Sequence, residues 1–223
     1  MPVITIRGHS GSFTSEIARR AADRLGVRVM DRQVLEETAK RLNMPVEEVE
    51  ELEQVPTTRR ERILEALGRH LQNPWALVAG PPGQIGVIGL AAYYDHLPKP
   101  TDTHEYVKAL EEIVHDLATD ASVVFTTKGT QVMLNQHESA FHVFITAPLD
   151  VRVKRITARN LMSREEDARA MIARIDGQRK AYLKRYFHVD MEDLRLYDLV
   201  LNTAKVSPEV AVDTILALSR GTA

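Results

Sequence analysis

The segment Ile4-Thr5-Ile6-Arg7-Gly8-His9-Ser10-Gly11-Ser12-Phe13-Thr14-Ser15 passes from a β-rich run through a glycine-bearing turn into a helical pattern. That context suits an anion. Glycine lets backbone N–H groups curl toward one point, and the following helix aims the positive end of its dipole at the same point. The standard phosphate-loop pattern is G-x-x-x-x-G-K-[ST]. Gly8 matches its first glycine and Ser15 its Mg²⁺-binding hydroxyl, while Phe13 replaces the second glycine and Thr14 the lysine. The turn Gly8, His9, Ser10, Gly11, Ser12, Phe13, Thr14 and Ser15 is therefore the candidate phosphate cradle. The plain alternative is a glycine-rich turn that only joins strand to helix.

A second concentration of chemistry lies far downstream. Between Arg152 and Arg185 stand eleven Lys or Arg against four Asp or Glu, a local net of +7. Phosphoryl transfer needs such cations, because charge spreads over the oxygens of the moving group. Arg152, Arg155 and Arg159 lie three to four apart and so share one helix face. A solvated cationic face is the alternative. Gly8-His9-Ser10-Gly11-Ser12 also approaches the nucleophile elbow G-x-S-x-G, with Ser10 as nucleophile. A hydrolase would need an acid such as Asp102 or Asp120 paired with His137, His142 or His188, since no histidine follows Asp198. The eight histidines show no metal-ligand spacing.

Five short apolar runs must position these groups: Val3–Ile6, Val27–Met30, Ser122–Thr127, Phe141–Thr146 and Tyr197–Leu201. Helical patterns separate them. Ile17, Ala18, Ala21, Ala22 and Leu25 recur at helical spacing up to Gly26, and Asp31 is placed to cap the next helix. Pro45 opens a short acidic helix, and Thr58–Glu61 and Ser163–Glu166 fit capping boxes. Asp102 or Thr103 caps a helix to Leu117, Pro148 opens one to Arg159, and Ser207 caps the last. Residues 74–101 carry five Pro and four Gly and read as a long loop, with one helical turn near Leu90–Tyr94. Several strands are continuously apolar, as buried parallel strands are. The expectation is a doubly wound α/β sheet with ligands at the carboxyl ends of its strands.

Hydrophobic residues make up 44% and charged ones 27%, which suits a globular chain and argues against disorder. A net charge of −2 gives no general pull toward nucleic acid or anionic membranes. The absence of cysteine removes disulfides and thiolate chemistry, and with no signal-like start or long apolar run the expected setting is the cytoplasm.

Four segments together resemble the cytidylate-kinase-like proteins, a branch of the P-loop nucleoside monophosphate kinases. They are the first turn with Glu16-Ile17-Ala18; Val29-Met30-Asp31-Arg32-Gln33-Val34-Leu35; Val123–Gly129; and His142–Ile156, continued by Ser163–Glu166, Ile175–Tyr182 and Tyr197–Thr203. The likeness covers about residues 3–55 and 102–218 and leaves 56–101 almost untouched.

That resemblance implies one P-loop domain over residues 1–223, with a parallel five-stranded sheet, a helical substrate-binding insertion near 32–101 and a lid near 156–187. It implies transfer of the γ-phosphoryl group of ATP, with Mg²⁺, to a nucleoside monophosphate. It assigns Arg152, Arg155, Arg159, Arg179 and Asp31 to the reaction, and Asp31, Lys128 and Gly129 to the acceptor. Asn202 and Thr203 border the adenine. Lys128 stands where the family carries arginine, and Gly129 where the cytidylate kinases proper carry aspartate, so cytosine preference is not written in these residues. With Thr14 at the lysine position, Arg7 or a lid arginine is the candidate substitute cation. Phe13 is expected to widen or obstruct the loop. The competing reading is a regulatory relative that binds nucleotide without turning it over. A homo-oligomer with Ile85–Tyr94 at the contact is a further expectation, and no role is assigned to Trp75, Tyr93 or Tyr94.

Overall fold

A computed structural model describes residues 2–53, 103–119, 122–159 and 164–220. The Thr58–Glu61 capping box, the 74–101 loop with Trp75, Tyr93 and Tyr94, and the capping residues Asp102 and Ser163 lie outside them.

The five strands are β1 (Val3–Gly8), β2 (Val29–Met30), β3 (Val123–Phe125), β4 (Ala140–Thr146) and β5 (Leu199–Asn202). They form one parallel sheet in the order β2-β3-β1-β4-β5. The chain leaves β1 for one side of the sheet and later lays β4 on the other. The order therefore reverses at β1, and its carboxyl end is the crevice where doubly wound sheets take ligands.

The helices are α1 (Thr14–Leu25), α2 (Arg32–Leu42), α3 (Val46–Leu52), α4 (Thr103–Thr119), α5 (Thr130–Met133), α6 (Leu149–Ala158), α7 (Glu165–Phe187) and α8 (Pro208–Ser219). Strand parity divides the core between the two faces. Ile4, Ile6, Val143 and Ile145 meet α1 and α8 through Ile17, Ala21, Val212 and Ile215. Val3, Phe125 and Phe144 share the other cluster with Val34, Tyr106, Leu110 and Tyr182 from α2, α4 and α7. Val153, Ile156, Ala168 and Ile172 join α6 to α7 in a smaller cluster.

The helix ends follow the sequence signals in part. Gly26 ends α1 in the left-handed region, and the Ser207 hydroxyl accepts from the Val210 amide at 3.3 Å. Asp31 stands at the capping position just before α2, without a side-chain capping bond. Its carboxylate is thereby left exposed at the mouth of the crevice.

Candidate active site around the first turn

Gly8 ends β1 because nothing larger fits. A Cβ there would sit 2.2 Å from the Ile145 carbonyl oxygen and 2.5 Å from Thr14 Oγ1. Beyond it the chain is pinned by its own groups. The His9 amide donates to the Ile145 carbonyl at 3.0 Å and the Ser12 amide to the His9 carbonyl at 3.2 Å. The buried Ser12 hydroxyl lies 2.7 Å from the His9 carbonyl, 3.0 Å from the Ile145 carbonyl and 2.8 Å from Thr14 Oγ1. The Ser10 amide donates to Asp176 Oδ1 at 2.8 Å, across from α7. Four N–H groups of the turn, on Gly11, Phe13, Thr14 and Ser15, take no partner among the described residues. They stand at the start of α1, where an anion gains from both the free donors and the helix dipole.

Phe13 takes the left-handed conformation, φ 68° and ψ 16°, at the position where the standard pattern has glycine. The residue lines the cavity at the turn. It packs under Arg155, whose guanidinium lies 4.0 Å from the ring centroid, with Arg159 at 5.0 Å. The cavity beside it holds about 270 Å³, just below the ~300–1,000 Å³ of pockets that enclose a whole small ligand. Gly8, His9, Ser10, Gly11, Phe13, Thr14 and Ser15 line it, with Arg7, Asp31, Thr126, Arg155, Arg159 and Arg179.

The arginines divide by partner. Arg152 is a strut, only 11% exposed at its side chain. It meets Asp176 Oδ2 at 2.6 Å, the Ala147 carbonyl at 3.0 Å and the Ser10 carbonyl at 3.2 Å, and it does not line the cavity. Arg155 donates to the Thr203 carbonyl at 2.7 Å, to Thr203 Oγ1 at 2.9 Å and to the Gly11 carbonyl at 3.4 Å. Burial, with Arg159 beside it, lowers its pKa. Arg159 pairs with Glu16 at 2.7 Å. Arg179 donates to the Gly8 carbonyl at 2.9 Å and lies 3.8 Å from Asp176. Burial lowers its pKa too, against the pull of Asp176 and Asp31.

A second recess adjoins the first and shares Asp31 with it. Arg32, Leu35, Glu50, Glu53 and Lys128 complete its lining. Lys128 pairs with Glu53 at 2.8 Å and stands 5.3 Å over the Tyr182 ring. Gly129 begins α5 against Phe187, whose ring a Cβ would strike at 2.5 Å. The structure thus brings the turn, Asp31 and three of the four arginines together, with Lys128 next door. Thr203 reaches the turn by donating to the Ser12 carbonyl at 3.0 Å, whereas Asn202 is exposed and accepts from the Ala204 amide.

His9 spans two anchors, with Thr146 Oγ1 at 2.9 Å from Nδ1 and Glu192 at 2.9 Å from Nε2. The hydrolase alternative is not favoured. His142 is buried against Thr5 Oγ1 and His137 lies beside Ser139, so neither is set to activate Ser10. Asp176, Thr126 and Glu16 belong to the site or its support without having been singled out in the sequence. Asp176 had a faint signal, standing three residues before Arg179 on one helix. Ser15 is exposed at the cavity and Asp31 faces it, an arrangement that suits Mg²⁺, which is commonly held by one or two protein oxygens plus phosphates.

Comparison with known proteins agrees with this geometry. The model of the cytidylate kinase-like family matches residues 3–205. The cytidylate kinase of Methanopyrus kandleri is 28% identical over 217 residues, 93% of this chain and 87% of that one. That of Sulfolobus acidocaldarius is 40% identical over 80 residues, covering 36% of this chain and 43% of the relative. That of Ignicoccus hospitalis is 33% identical over 115 residues, covering 48% and 66%. The last two matches span less than two thirds of those relatives. An uncharacterized protein from Eubacterium ventriosum shares the fold, with a TM-score of 0.63 at 15% identity over 99% of each chain. With a matched span that runs from β1 past β5 and takes in the turn, both recesses and the arginines, the chain belongs to the cytidylate kinase-like family.

Proposed function

We propose that the protein transfers the γ-phosphoryl group of ATP to a nucleoside monophosphate. The observation that carries this is the convergence of four open amides and four arginines on one cavity, next to a recess holding Asp31 and Lys128. The amides of Gly11, Phe13, Thr14 and Ser15 would hold the donor phosphates. Arg155, Arg159 and Arg179 would meet the charge that develops on the moving group. Asp31, Lys128 and Gly129 would face the acceptor, and Thr203 and Asn202 the adenine. Arg152 would act indirectly, by fixing the turn. An acceptor phosphate oxygen bonds to the γ-phosphorus while the bridging oxygen leaves with the electrons of the broken bond, giving two nucleoside diphosphates. When bound, Mg²⁺ at Ser15 and Asp31 supplies charge neutralisation. Segments 32–101 and 156–187 would serve as substrate-binding insertion and lid, and the cytoplasm as the setting. No helix among the described residues is long and apolar enough to cross a membrane.

Thr14 at the lysine position favours one competing reading, nucleotide binding without turnover. Calorimetry with ATP and GTP plus Mg²⁺ tests binding. A coupled ADP-release assay across CMP, UMP, dCMP, AMP and GMP then tests turnover, beginning with CMP because the relatives carry the name cytidylate kinase. ATP binding with release of ADP for one acceptor is expected. Binding without release for any acceptor would leave the regulatory reading, and no binding would end both. Thr14→Lys should tighten ATP about tenfold if the turn is a phosphate cradle, and an unchanged affinity would argue against one.

A further inference from the structure

β1 alternates its side chains. Ile4 and Ile6 go to the α1–α8 face, so Arg7 falls on the opposite face with Val3 and Thr5, toward α7. Its guanidinium donates through Nη1 to the Thr126 carbonyl just past β3. Asp31 and Glu53 are near enough to favour its charge, and Arg179 near enough to oppose it. No carboxylate among the described residues pairs with it at ion-pair distance. Burial first, then Arg179, pulls its pKa down to about 10, which leaves it charged at neutral pH.

The other cavity arginines are committed elsewhere. Arg155 is held by Thr203 and the Gly11 carbonyl, Arg159 by Glu16, and Arg179 by the Gly8 carbonyl with Asp176 nearby. Arg7 spends one donor on a neutral carbonyl, and the rest of its fork meets no partner among the described residues. A half-buried cation so poorly paired is costly to the fold, and an anion in the cavity would relieve it. Its place suits one anion in particular, because it lines the cavity between the turn and Asp31, the residue shared with the acceptor recess.

We infer that Arg7 performs, from the end of β1, the task of the missing loop lysine: its guanidinium holds the phosphoryl group as it passes from donor to acceptor. This rests on the phosphoryl-transfer reading above. As the acceptor oxygen bonds to phosphorus and the bridging oxygen departs with its electron pair, negative charge shifts along that line, and the free N–H donors of Arg7 follow it. No proton moves to or from Arg7.

The experiment compares the wild-type full chain with Arg7→Met, Arg7→Lys and Arg7→Met/Thr14→Lys. It measures steady-state rates with MgATP and the best acceptor, calorimetric affinity for MgATP, and thermal midpoints. Arg7→Met should lower kcat about 100-fold or more, by analogy with loss of one preorganised donor, while its thermal midpoint holds or rises. Arg7→Lys should keep part of the rate. Adding Thr14→Lys to Arg7→Met should recover at least about tenfold, because an ammonium would again reach the phosphates. A kcat within threefold of wild type in Arg7→Met overturns the inference. So does a lost rate that comes with a lowered midpoint and no recovery from Thr14→Lys, which would make Arg7 a structural strut. If wild type binds MgATP but turns over no acceptor, Arg7→Met must still weaken binding about tenfold, and unchanged binding overturns the inference. Absence of both binding and turnover in wild type would instead sink the phosphoryl-transfer reading itself.

Discussion

The Arg155 guanidinium lies 4.0 Å from the centroid of the Phe13 ring, so the residue that departs from the loop pattern also holds one of the site's cations. Left-handed backbone costs a non-glycine residue about 1–2 kcal/mol, and a cation over an aromatic face returns about 0.5–2 kcal/mol. Phe13→Gly removes both terms, whereas Phe13→Ala keeps the strain and loses the ring. Urea unfolding should therefore rank Phe13→Gly above Phe13→Ala by about 1 kcal/mol, the reverse of the usual Ala–Gly order. Alanine as the more stable variant would show that the left-handed turn at residue 13 carries no strain.

Arg152 and Asp176 form a mutually buried pair, and Asp176 also accepts the Ser10 amide. Removing one partner strands the other. Arg152→Ala and Asp176→Ala should each cost about 3–5 kcal/mol in denaturant unfolding. The double variant should cost clearly less than the sum, since neither charge is then left alone. Additive losses would show that the two side chains act separately.

Lys128 and Glu53 stand in the recess on the β2–β3 side, apart from the turn. Lys128→Ala should raise the KM for the acceptor at least about tenfold while moving the KM for ATP less than threefold, the signature of binding energy lost at one substrate only. An equal rise in both would place Lys128 outside the acceptor site.

His142 is held neutral by burial, which lowers its pKa against the opposing pull of Asp198. The unfolded chain, with the ordinary value near 6.5, then binds more protons than the folded one. Stability from this group is complete above about pH 6.5 and declines as the pH falls below it toward the lowered folded value. Urea midpoints from pH 7.5 to 5 should fall in wild type and fall less in His142→Gln. Identical slopes would assign the loss to other groups.

The architecture was legible because it rests on local signals. The apolar runs at Val3–Ile6, Ser122–Thr127 and Phe141–Thr146 each overlap a parallel strand, with β1 running on to Gly8 and β4 starting at Ala140, and Gly26, Pro148 and Ser207 mark helix ends. The second run shortened to Val29–Met30, an edge strand bonded on one side only. The site was less legible because its roles depend on contacts between distant segments. Arg152 and Arg155 look equivalent on one helix face, yet Asp176 from α7 claims Arg152 while Thr203 and Phe13 claim Arg155. Nothing local to Asp176 announces that it reaches the Ser10 amide. The effect of Phe13 depended on where its ring turns, which only the neighbouring arginines decide.

The Ser10–Asp176 bond joins positions 166 apart in the chain. The curl of the turn is therefore stored only in part in its own eight residues. Transplanted into another strand–helix junction, the peptide would arrive without its anchor and would have to find a new one. Because the donor is a backbone N–H, any residue but proline at position 10 keeps the bond, while position 176 needs a side chain that can accept it.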